Sequence, residues 1–98
     1  MYARLSRFAG LPPERIYDTV DEFRHQQLPE LERQEGFKGV IVMLNRATGQ
    51  AAALTFWESE QDLRASERVA TRARDAAMQT AQPARDPIVD RYEVILQK

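Results

Sequence analysis

The side chains in this chain that could do chemistry are few and scattered. There is one histidine, His25, and no cysteine, so thiolate catalysis, disulfides and cysteine-based zinc sites are excluded. Imidazole is the usual general base near neutral pH. His25, however, lies nine residues beyond Ile16, and at about 100° per residue that places it opposite the apolar stripe of its helix, facing solvent. The single tryptophan, Trp57, ends an apolar strand and offers a flat ring that could stack on an aromatic substrate or anchor a core. Gln27 falls inside an apolar helical stripe, where a polar amide must find a partner. Arg4, Ser6 and Thr55 are strand residues whose side chains could point into a cavity. No glycine-rich phosphate loop, nucleophile motif or cluster of metal ligands is present, so no metal site is expected and no catalytic base is assigned.

The elements that must position these residues follow from hydrophobic periodicity. Tyr2 to Phe8 alternates as a strand, and Gly10-Leu-Pro-Pro13 ends it. Ile16, Val20, Phe23, Gln27 and Leu31 recur at helical spacing, and Leu28-Pro29 predicts a kink or break near Gln27. Gly36 is a natural left-handed cap. Phe37 to Asn45 reads as a second strand with a continuous apolar run, and a loop ending at Gly49 joins it as a hairpin to a third strand ending at Trp57. That third strand is apolar on both faces: Ala52, Leu54 and Phe56 on one, Ala51, Ala53 and Trp57 on the other. Such a strand is covered on both sides. Ser59 with Asp62 forms a capping box that opens one helix. Its stripe of Leu63, Ser66, Ala70, Ala73 and Ala77 is small enough to let it lie close to the sheet. Ile88 to Leu96 is the expected last strand, on which Arg91 and Glu93 share a face and suggest an edge or interface role.

The order β-α-β-β-α-β predicts an α+β, ferredoxin-like split fold, with a four-stranded antiparallel sheet in the order 4-1-3-2. Two helices cover one face of such a sheet. The other face is too apolar to stay wet, which suggests a twofold partner packing sheet against sheet. Residues 1–98 are expected to form a single domain. With 43% hydrophobic and 30% charged residues the chain is neither disordered nor membrane-spanning, and a net charge of −1 gives no reason to expect nucleic acid. The first residues lack the apolar region of a signal peptide, so the cytoplasm is the expected compartment. Acidic residues Glu14, Asp18 and Glu22 and basic residues Arg64, Arg68 and Arg72 form stripes expected to exchange weak salt bridges across neighbouring helices.

The element order, the Leu-Pro-x-Leu-x-x-x-x-Gly-Phe passage from Leu28 to Phe37 and the Thr-Phe-Trp-Glu-Ser-x-x-Asp-Leu passage from Thr55 to Leu63 resemble the antibiotic biosynthesis monooxygenase-like domains of the dimeric α/β barrel superfamily. The resemblance covers essentially the whole chain. It implies a homodimer whose two sheets form a barrel, with a cavity in each subunit between sheet and helices. One branch of that family oxygenates aromatic, polyketide-like phenols or quinols without any cofactor; another binds and degrades haem. Both use a tryptophan on the third strand, which Trp57 matches. The polar amide that studied members present in the cavity has no counterpart here, where Ala51, Ala52 and Ala53 stand nearby. The haem branch needs an axial histidine on the second helix, and none exists between Ser59 and Pro83. The expectation is therefore a small apolar or aromatic molecule, no cofactor, and substrate contacts at Trp57, Gln27, Thr55 and Arg4. The alternatives are a non-catalytic small-molecule-binding homodimer and a purely structural dimer with a filled core.

Overall fold

In the computed structural model, which describes residues 1–98, β1 (Tyr2–Phe8) lies at the centre of a four-stranded antiparallel sheet. Its neighbours are β3 (Gln50–Trp57) and β4 (Ile88–Glu93), and β2 (Phe37–Asn45) pairs the outer side of β3. The order β2-β3-β1-β4 is the expected 4-1-3-2 read from the opposite edge. Because side chains alternate along each strand, this register sends Tyr2, Arg4, Ser6, Phe8, Ala51, Ala53, Thr55 and Trp57 to the helical side. Ala3, Leu5, Leu54, Phe56, Ile41, Met43, Ile88 and Tyr92 fall on the other side, which no helix covers.

The first helical arm runs as α1 (Pro13–Glu22), a π-helical turn (Phe23–Gln27) and α2 (Leu28–Glu32). The break expected at Leu28-Pro29 thus takes the form of a π turn. Pro29 has no N–H to continue the ladder, and the Leu28 N–H reaches back five residues to the Phe23 carbonyl. Gly36 then turns the chain into β2 at φ +80°. A Cβ there would sit 2.6 Å from Asp62 Cβ, so the turn needs glycine for contact as well as conformation.

The second arm departs from the single helix read in the sequence. Ser59 caps α3 (Glu60–Ala65) by accepting the Asp62 N–H at 3.1 Å, but α3 stops at Ser66 and α4 (Glu67–Ala81) starts afresh. The Ser66 hydroxyl donates to the Leu63 carbonyl at 2.7 Å, a local bond that competes with the helical ladder and breaks it.

Two further expectations are corrected. The last strand ends at Glu93, not Leu96: Glu93 is the last residue in register with β1, opposite Tyr2, the Val94 N–H makes one further bond to the Met1 carbonyl at 2.9 Å, and Ile95 is left 90% exposed. The acidic and basic stripes do not pair with each other: Arg72 bonds Glu30 at 2.6 Å, Arg64 bonds Glu60 on its own helix at 2.5 Å, and Glu22 accepts from Thr80 at 2.8 Å. No helix is long and apolar enough to cross a membrane.

The core is divided. Leu31, Trp57, Leu63 and Val69 form one buried cluster, with Tyr2, Phe23 and Phe37 packed on it. Leu11, Ile16 and Ala81 form another with Phe8, Leu44 and Ala51.

Candidate functional site

Between the two clusters, on the helical side of the sheet, lies a cavity of about 100 Å³. Its existence follows from side-chain size. β3 contributes the small side chains of Ala51 and Ala53, and α4 faces it with Ala70, Ala73, Ala77 and Ala81. The alanine stripe therefore does not bring α4 close to the sheet, as its small side chains suggest; it leaves the space unfilled. A dry apolar cavity of ~150 Å³ holds benzene, so this one is on the scale of an aromatic ring. Val42 lines it and is 42% exposed, so it opens to solvent beside β2. Phe23, at the start of the π turn, and Leu31 close one side, and Leu11 and Ile16 close another.

The polar groups of this cavity come from Arg4, Ser6, Thr19, Thr55 and Arg74. Arg4 is 2% exposed. Its Nη2 donates to the Leu63 carbonyl at 2.8 Å, to Ser66 Oγ at 2.8 Å and to Glu67 Oε1 at 3.0 Å. The break between α3 and α4 makes this possible, since a helix end presents carbonyls without intrahelical partners and favours a cation. The guanidinium carbon lies 5.6 Å from the centre of the Trp57 ring. The Arg4 pKa is lowered, first by burial, against which Glu67 acts to raise it. Glu67 also accepts two bonds from Arg91, both at 2.8 Å, and these hydrogen bonds above all hold its carboxyl at about 2. Arg91 thus lies on an edge strand, as expected, but on its helical side and in this cluster rather than on the open sheet face proposed as an interface. Arg74, half-buried on α4, has its pKa lowered by burial, and its hydrogen-bond partner is Thr71 Oγ1 at 3.2 Å.

Of the four residues expected to touch a ligand, Arg4 and Thr55 line the cavity, and Trp57 and Gln27 do not. Trp57 is completely buried behind them. Its Nε1 donates to Thr55 Oγ1 at 3.0 Å, Phe37 stands edge-on to its ring with centroids 5.5 Å apart, and Arg4 occupies its face. Its ring thus fixes the two polar residues that do reach the cavity. Gln27, the last residue of the π turn, is half-buried away from the lining. His25 is exposed, with Nδ1 2.7 Å from the Asp21 carbonyl. No three metal-ligating side chains converge. Sequence reasoning missed Arg74 and Glu67, although Glu67, Arg74 and the alanines follow one another on the same helix; the break at Ser66 that turns Glu67 toward Arg4 has no strong sequence signal.

No protein-family sequence model matches the chain and no curated protein matches it. Solved structures do. A monooxygenase from the gene ActVA-Orf6 of Streptomyces coelicolor, in complex with the ligand Nanaomycin D, superposes with a TM-score of 0.75 at 17% identity, over 99% of this chain and 92% of that one. A provisionally assigned antibiotic biosynthesis monooxygenase from Bordetella bronchiseptica gives 0.72 at 18% identity, over 97% of both chains. A protein from Nitrosomonas europaea with the same provisional assignment gives 0.72 at 12%, over 98% of this chain and 100% of that one. The chain has the fold of the antibiotic biosynthesis monooxygenase proteins.

Proposed function

We propose that the protein is a homodimer, packed sheet face against sheet face, in which each subunit's cavity holds a small aromatic or polyketide-like molecule and oxygenates it without a cofactor. The observation that carries this reading is the cavity itself: apolar walls on the scale of a ring, with Arg4 and Thr55 reaching into it. The likeness to a monooxygenase solved with a bound ligand supports it. The dimer is supported by the open sheet face, where Ile41, Met43, Ile88 and Tyr92 are each about half exposed.

In this chemistry the substrate supplies the electrons. A phenol or enol gives up its proton to solvent at the open side of the cavity, and the resulting anion passes one electron to dioxygen. The substrate radical and superoxide then combine, forming the new C–O bond as a peroxide, which regains a proton and loses water to leave the oxygenated ring. The protein excludes water, orients the ring and stabilises negative charge on the substrate oxygen. Arg4 serves the last role as a buried cation. Thr55 accepts from Trp57, which leaves its hydroxyl hydrogen free to donate. The test is oxygen uptake by pure, chelator-treated protein with a panel of anthrone- and quinol-like compounds. Uptake by the wild type that disappears in Ala73→Phe, whose ring fills the cavity, supports the reading; no uptake across the panel contradicts it.

A second reading, a binding protein without chemistry, is favoured by one specific observation. No carboxylate lines the cavity; Glu67, bonded to the lining residue Arg4, is held at about 2 by its arginine partners and is a poor base, and His25 lies on the surface. Binding of the same compounds, seen as a change in Trp57 fluorescence with no oxygen uptake, would establish this alternative.

A further inference from the structure

Arg4 is held by one nitrogen only. All three of its hydrogen bonds come from Nη2, while Nε and Nη1, which carry most of the guanidinium's N–H bonds, are buried without any acceptor. A buried charged donor left unpaired is costly, more so than a neutral one, and such groups in native proteins normally have a partner. The local charge count points the same way. Arg4, Arg91 and Arg74 gather around a single carboxylate, Glu67, whose oxygens are already taken by Arg4 and Arg91. Asp75 acts on Arg74 only at longer range, and Asp90 is bonded to Arg7 at 3.0 Å. Two of the three arginines, Arg4 and Arg74, line the cavity, whose remaining lining is almost wholly apolar.

Resting on the reading that this cavity is a ligand site, we propose that its ligand is amphipathic: a flat apolar body seated among the alanines, bearing one anionic oxygen group that pairs with Arg4 and is shared with Arg74. A carboxylate and a phenolate or enolate offer the same chemistry, an oxygen with negative charge and free lone pairs, and guanidinium donors bind both. Thr55 adds a hydroxyl donor at the same strand level as Arg4, since the two are paired across β1 and β3. Arg4 therefore selects among apolar molecules by charge, whereas the alanine walls select only by shape.

The experiment is a calorimetric titration of the intact chain at pH 7 with three probes of similar shape: 2-naphthoate, 2-naphthol and 2-methylnaphthalene. The wild type should bind at least one of the two oxygen-bearing probes tenfold or more tighter than the hydrocarbon. Tighter binding of naphthoate assigns the carboxylate. Naphthol binding that releases a proton, seen as a buffer-dependent heat, assigns the phenolate. Arg74→Gln should reduce the preference for the anion several-fold and leave hydrocarbon binding unchanged, and Arg4→Gln should abolish the preference. Arg74, unlike Arg4, bonds only a neighbour on its own helix, so the first variant remains informative if the second does not fold. Equal binding of all three probes by the wild type, or an unchanged preference in Arg74→Gln, would overturn the assignment of an anionic ligand while leaving the cavity a ligand site. Failure of all three to bind would overturn both.

Discussion

The two ends of the helical layer are built from the same kinds of element and reach opposite results. At the Trp57 end, large side chains from β2, β3, α2 and α3 fill the space, and Trp57, Leu31 and Leu63 are essentially inaccessible to water. Toward the Ile16 end, β3 and α4 face each other with alanines, and the gap persists as a cavity. The difference teaches that packing density here is distributed rather than uniform. The filled end stabilises the fold and holds Arg4 and Thr55 in place. The unfilled end gives up burial that larger residues would supply, which is what a binding site requires.

This contrast is open to direct attack. Trp57→Ala should have the largest effect, a loss of ~3–5 kcal/mol in chemical denaturation, because a fully packed site collapses poorly around a missing ring. Ile16→Ala, at the border of existing space, should cost about 2 kcal/mol, near the low end for such truncations. Equal losses at the two sites would remove the distinction. Next in size is Glu67→Gln. The Glu67 pKa lies below its unfolded value, so its contribution is present above about 4.5 and is lost as the pH falls toward about 2. Allowing for its partial exposure, we expect a loss of about 1–2 kcal/mol at pH 7 and a flatter stability profile between about pH 4.5 and 2 than in the wild type. A variant as acid-sensitive as the wild type would remove Glu67 from the account. Ala73→Leu should do the reverse of the truncations, raising stability by ~0.5–2 kcal/mol while abolishing uptake of the naphthyl probes. The smallest effect on the folded chain itself, within about 0.5 kcal/mol, is expected for Ile41→Asp on the open face. There the readout is sedimentation: the proposed dimer should become a monomer of about half the mass, and an unchanged mass would count against sheet-to-sheet packing.

Much of this division was legible in the residues, and the reasons for the exceptions are physical. Alternation along Tyr2–Phe8 and Gln50–Trp57 places Arg4, Thr55 and Trp57 on one face, and the observed register has them there. The four-stranded order follows from connection rules alone. The extent of β4 was not legible, because Val94-Ile95-Leu96 continues the apolar pattern, yet only the Val94 N–H finds a further backbone partner, the Met1 carbonyl. The alanines were ambiguous, since a stripe of small residues permits either close approach or empty space, and only the bulk of the flanking clusters decides between them. The helix break at Ser66 depends on one hydroxyl bonding the Leu63 carbonyl, a choice driven by the waiting Arg4 guanidinium from a distant strand. That same long-range pairing kept Glu67, Arg74 and Arg91 out of the sequence-based site, and it explains why Trp57 supports the site from behind.

The most direct test of the central claim is where a ligand sits. Nuclear Overhauser contacts between the ring protons of bound 2-naphthol and methyl-labelled protein would show it. The account predicts contacts to the methyl groups of Ala53 and Ala73 and none to Ile41 or Met43 on the open face. Contacts to Ile41 and Met43 without any to the alanines would contradict it.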